Sequence, residues 1–124
     1  VLIYQVLSDQ IIGAAIEVHR NLGPGLLERA YEACLCHELK SRNIPFTRQL
    51  ALPVPYKECQ VPCGFRIDLL VADLVIVEIK AVEHLYPIHE AQLMTYLRLA
   101  KKKVGLLFNF NVKLLREGLI RRVL

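Results

Sequence analysis

Tryptophan is absent from the 124 residues, methionine occurs once, and aromatic residues make up only 7%. A broad base-stacking platform is therefore excluded, and any nucleic acid would be held chiefly by phosphate and shape contacts. No apolar run reaches the ~18 residues of a membrane span, because polar groups interrupt every candidate. Val1 to Gln5 shows neither a basic n-region nor a small-residue cleavage site, so no signal peptide is expected in that stretch. Repeats, linkers and low-complexity tracts are lacking too. Neither sign of charge dominates: 16 basic against 12 acidic residues leave a net +4, which suits a polyanionic partner without making a polycation. Hydrophobic residues make up 54%, enough for a real core, and the length is that of one domain, 1–124. A cytoplasmic, non-membrane protein is expected.

Four cysteines fall in two close pairs, Cys34 with Cys36 and Cys59 with Cys63. So apolar a chain folds without disulfides, and reduced thiols are expected. Cys34 and Cys36, two apart in a helical pattern, point to different faces and cannot share an ion. Cys59 and Cys63 could, but no second pair completes a zinc site.

Helical spacing of Ile12, Ala15, Ile16 and His19 predicts a first helix from about Ser8 to His19, with Ser8 and Asp9 as caps. The run Asn21 to Gly25, with two glycines and a proline, ends it. A second helix is expected from about Leu26 to Arg42, burying Leu27, Tyr31, Cys34, Leu35 and Leu39. Gln49 to Tyr56 reads as an extended edge segment, confined there by Pro53 and Pro55. Phe65–Val71 and Leu74–Ile79 read as a hairpin, Pro87 opens a helix to about Lys101, and Val104–Phe110 returns as a buried strand. The last dozen residues suit a strand or a short helix. The order predicts an α/β fold, a small mixed β-sheet flanked by helices.

Chemistry concentrates at the strand Val75 to Lys80. Strand alternation puts Glu78 and Lys80 on one face, away from Val77 and Ile79. A charge in so apolar a run costs several kcal/mol unless it is paired or metal-bound. Asp68 stands in the preceding strand, again among apolar residues. A strict two-residue turn at Ala72–Asp73 would place the two acids on opposite faces. An odd-length turn, Ala72 to Leu74, or a bulge is therefore expected. Two carboxylates and an ammonium at one strand end suit a hard cation and phosphodiester hydrolysis. A plain Glu–Lys pair reaching solvent is the alternative.

The spacing Asp68…Glu78-x-Lys80 resembles the PD-(D/E)xK nuclease superfamily, although no proline precedes Asp68, where Arg66-Ile67 stand. Gly25-x-x-Glu28-x-x-Tyr31 fits the signature of its GxxExxY family. Ile11 to Arg20, Gly23-Pro24-Gly25, Pro87 to Leu93 and Leu106 to Asn111 extend the likeness over nearly the whole chain. The resemblance implies a restriction-endonuclease-like core and a metal-dependent nuclease. It makes Glu28, Asp68 and Glu78 ligands of Mg²⁺ or Mn²⁺, with the Ile79 carbonyl as a further oxygen. Lys80 becomes the catalytic lysine. Gln92-x-x-x-Tyr96 looks like the motif of the exonuclease-like branch, where an amide and a phenol bind phosphate. His89 is expected on the same helix face, and Arg20 is expected to hold a phosphate. Nucleic acid is the implied partner, DNA ahead of RNA, with a homodimer or a protein partner where a duplex must be engaged. The alternative is a non-catalytic module that keeps the fold and binds nucleic acid or protein.

Several of these residues have plainer readings. Glu28 suits a helix first turn, where the dipole favours an acid. His19 and His89 suit structural roles. Lys101-Lys102-Lys103 suits a solvated helix end, or a track for a nucleic-acid backbone together with Arg121 and Arg122.

Overall fold

Two glycines split the first forty residues into a helical pair. The computed structural model describes residues 3–124; Val1 and Leu2, part of the stretch read for a leader, lie outside the described residues. Helix α1 spans Gln5–Leu22, starting earlier than the expected Ser8. Ser8 is not a cap: its N–H already donates to the Tyr4 carbonyl at 2.9 Å, and its side chain is buried within the helix. Gly23, at φ 66°, closes α1 by donating its N–H to the His19 carbonyl. Helix α2 spans Glu28–Ser41. Leu27, expected in its buried stripe, is 64% exposed, because it sits in extended backbone ahead of the helix. Tyr31, Leu35 and Leu39 are buried as expected, Cys34 half-buried.

The extended segment divides in two. Strand β1 (Phe46–Ala51) joins the main sheet at its edge, while β2 (Val54–Tyr56) pairs only with β3 (Cys59–Val61) as a separate hairpin. Pro53 and Pro55 lack the N–H that a continued ladder needs. Strands β4 (Arg66–Val71), β5 (Val75–Lys80), β6 (Val104–Asn109) and β7 (Leu119–Val123) complete a five-stranded sheet in the order β1-β4-β5-β6-β7. Only β5 and β6 run parallel, and helix α3 (Pro87–Ala100) makes their crossover. The final dozen residues hold both a 3₁₀ turn, Leu115–Gly118, and β7.

The strands' two apolar faces decide the layers. Leu69, Val71, Val77, Ile79 and Phe108 pack under α1 and α2, against Ile11, Tyr31, Leu35 and Leu39. Leu70, Ile76 and Leu107 pack under α3, against Leu93, Tyr96 and Leu97. The result is the expected α/β fold, a mixed sheet flanked by helices. Among the described residues no helix is long and apolar enough to cross a membrane. All four cysteines are free thiols, Cys36 buried and Cys59 and Cys63 exposed.

Candidate active site

The turn between β4 and β5 places the acids. Val71 pairs with Val75, Leu70 with Ile76 and Leu69 with Val77, so the connection is the odd-length Ala72–Leu74. Ala72 and Asp73 take positive φ of 53° and 59° to close it. Continuing that register sets Asp68 across from Glu78. There the carboxylates take over from the backbone ladder. Glu78 accepts the Asp68 N–H at 2.9 Å, and Asp68 accepts the Ile79 N–H at 2.8 Å. Side-chain alternation also breaks at this point: Ile67 packs on the α3 side of the sheet but Leu69 on the α1/α2 side. On the neighbouring strand, Gln49 lies between the residues paired with Leu69 and Ile67, with φ 53°. A non-glycine residue at positive φ inside a strand is strained, and it is tolerated only where its surroundings hold it.

Burial dominates the electrostatics. Glu78 is 5% exposed, and desolvation raises its pKa to about 8. The charges of Asp68 and Glu28 add to that rise, while the Asp68 N–H and the Lys80 ammonium oppose it. Asp68 is raised as well, first by burial, with the Ile79 N–H and the Gln49 amide pulling it back. Lys80, half-buried at the end of β5, opens into a hollow of about 810 Å³ that Gln92, Tyr96 and His89 also line. Gln92 Nε2 donates to the Tyr96 hydroxyl at 3.1 Å, which leaves the phenol proton free. His89 Nδ1 accepts the Tyr86 N–H at 2.9 Å, so it also caps α3.

Glu28 is the first residue of α2, as the dipole favours, and it accepts the Ala81 N–H just beyond β5 at 3.4 Å. Tyr31 fixes that approach. Its hydroxyl donates to the Gly23 carbonyl at 2.6 Å and accepts the Leu26 N–H at 3.1 Å, while its ring stacks on Phe110 at 4.5 Å. The spacing Gly25-x-x-Glu28-x-x-Tyr31 is thus a clamp that holds the loop and aims the helix.

Arg20 lies elsewhere. It pairs with Glu17 and lines a separate hollow with His19, Lys113 and Arg116. His19 is structural, its Nε2 2.8 Å from the Val112 carbonyl. Of the basic residues near the C-terminus, Lys102 pairs with Asp73, Arg121 with the Ile3 carbonyl and Arg122 with Glu90, while Lys101 and Lys103 are exposed.

The sequence reading misses Glu32, Arg48 and Gln49. Glu32 is buried on α2 and receives Arg48 Nε and Gln49 Nε2, each at 2.6 Å; Gln49 Nε2 also reaches Asp68 at 3.2 Å. One signal was available: Glu28 and Glu32, four apart, share a helix face. Gln49→Gly, which is at ease at φ 53°, removes these bonds without adding strain. It is expected to lower unfolding free energy by about 1–3 kcal/mol in urea titrations, the cost of leaving a buried acceptor short of a donor. An unchanged midpoint would leave the Glu32–Gln49–Asp68 link without energetic weight.

Among the described residues no group of three or more His, Cys, Asp or Glu side chains stands ready to hold a metal ion. The chemistry of the pair still fits one. Mg²⁺ is usually held by one or two carboxylates together with substrate phosphates and waters, and Asp68 and Glu78 are two such oxygen donors whose mutual repulsion a cation relieves. No curated protein and no solved structure matches the chain. A family model does, over residues 5–123, which is almost all of it. The paired carboxylates, the lysine two residues on and the mixed sheet that carries them therefore stand in a matching context: the chain belongs to the PD-(D/E)XK nuclease superfamily.

Proposed function

We propose that the chain is a metal-dependent phosphodiesterase that cleaves nucleic acid, DNA ahead of RNA, and that within the superfamily it is a GxxExxY protein. The observation that carries the reading is the reciprocal seating of Asp68 and Glu78 across β4 and β5, with Lys80 at the strand end. Asp68 and Glu78 would hold Mg²⁺ or Mn²⁺ as the pair; Glu28, which does not form a three-carboxylate group with them, would join as a third carboxylate only by swinging in from the helix. A bound divalent cation activates water and neutralises charge at the phosphate. Lys80 orients the attacking water beside the scissile phosphate. The free phenol proton of Tyr96 donates to a phosphate oxygen, and Gln92 holds the phenol in place for it. His89 lines the same hollow, within reach of a neighbouring phosphate. Arg20, in its separate hollow, would meet only a distant part of a long substrate.

Incubating the purified chain with labelled single- and double-stranded DNA and RNA, in Mn²⁺, Mg²⁺ or EDTA, tests this. Cleavage is expected with either metal and not in EDTA. Binding without cleavage under every condition would favour a non-catalytic module that keeps the fold.

A further inference from the structure

The hollow beyond Lys80 is unlike a site for phosphate alone. One wall is helix α3; the other is strand β2, through Val54 and Pro55, with Phe65 of the segment leading into β4 between them. Phe65 is 43% exposed and Ile88 is 68% exposed, so two large apolar side chains face the hollow that Lys80 lines. The Phe65 ring leans on the buried Tyr96, centroids 6.4 Å apart and tilted by 53°, which fixes Phe65 while its outer face stays open. Lys80, half-buried, and Arg98, exposed, also line the hollow. The volume, about 810 Å³, lies in the range of pockets that enclose a small organic molecule.

A paired duplex would waste this cleft. Its bases are stacked inward and its outer surface is sugar and phosphate, which gain little from phenylalanine and isoleucine. An unpaired strand offers base faces to aromatic rings and phosphates to lysine and arginine at once. The low aromatic content rules out a long stacking platform, but not a single exposed ring for one base.

We infer that this cleft receives an unpaired nucleotide, its base stacked on the open face of Phe65 and its phosphate at Lys80, so that the substrate class is single-stranded nucleic acid or a single-stranded extension of a duplex. The inference rests on the phosphodiesterase reading, because it uses Lys80 and the acids to fix where the phosphate goes.

The test is binding, measured by fluorescence anisotropy on the full chain in Ca²⁺ at one fixed salt concentration, since affinities shift with salt. The probes are a labelled oligothymidine and a blunt duplex of equal length with both ends closed by hairpin loops. The oligothymidine is expected to bind at least tenfold more tightly. Phe65→Ala is expected to weaken it by about 5- to 150-fold, equivalent to the ~1–3 kcal/mol of one base–aromatic stack, and to leave the closed duplex unaffected. Phe65→Leu, which keeps the apolar bulk and so guards against misfolding, should lose most of the same preference. Equal or tighter binding of the closed duplex, or single-strand binding indifferent to both Phe65 variants, overturns the inference. If metal-dependent cleavage persists alongside either result, only the substrate class is wrong. If neither probe binds and nothing is cleaved, the phosphodiesterase reading fails and this inference with it.

Discussion

Glu78→Gln is expected to abolish metal-dependent cleavage and yet to raise the melting temperature of the metal-free chain above pH 8. Both effects come from one buried carboxylate. Glu78 titrates at about 8 in the fold against an ordinary 4.5. Between those values the folded chain holds a proton that the unfolded chain has released, so stability falls as pH rises from about 4.5 to about 8. Above that window the whole penalty stands, on the order of a few kcal/mol for a side chain so fully desolvated. Glutamine carries no charge to desolvate. Its carbonyl can still accept the Asp68 N–H, and its amide can donate to the Asp68 carboxylate. The variant should therefore out-melt the wild type at pH 8.5 and lose the advantage near pH 5. It should also lose the Mn²⁺-induced rise in melting temperature, since a ligand that binds only the folded chain at 100 times its Kd adds about 2.7 kcal/mol. A variant that melts lower at pH 8.5 and keeps its Mn²⁺ response would remove Glu78 from both roles.

Lys80→Ala separates catalysis from metal binding in the opposite sense. The Lys80 ammonium lowers the pKa of both Asp68 and Glu78, so it offsets part of their repulsion. Without it the acids keep their seats on the Asp68 and Ile79 N–H groups, and the pocket becomes more negative. The Mn²⁺-induced stabilisation should survive or grow. Cleavage should fall by about 10²- to 10⁴-fold, the usual contribution of a positioned acid–base group. Metal-dependent melting and single-turnover cleavage on the same preparation would read both. If the variant loses its metal response as Glu78→Gln does, Lys80 is part of the scaffold. If cleavage persists in both variants, a contaminating nuclease is at work and the non-catalytic reading gains.

Helices, strands and the acids were open to reading because each announces itself through its neighbours in the chain. The apolar spacing of α2, the proline that opens α3 and the unbroken run of β5 are local patterns. A glutamate inside such a run draws notice because burial without a partner is costly. The odd-length turn was legible too, as one of two ways, a bulge being the other, to bring Asp68 and Glu78 together. Boundaries fared less well. Tyr4 starts α1 in left-handed backbone that no cap residue signals, and Leu27 turns outward although its spacing matches the buried stripe.

Other features of the site join residues far apart in the chain. Gln49 reaches Asp68 across 19 positions, Glu28 meets the Ala81 N–H across 53, and Arg48 holds Glu32 between a strand and a helix. Arg20 lies within the stretch that carries the family likeness, yet α1 and the 3₁₀ turn seat it in a hollow of its own. The cleft beside Lys80 exists because β2 leaves the main sheet and stands opposite α3. Periodicity is a relation among successive residues, so it can be read along the chain. Which donor satisfies a buried carboxylate, and which walls close around it, follows from how the layers stack, and that is settled only when helices and strands pack together.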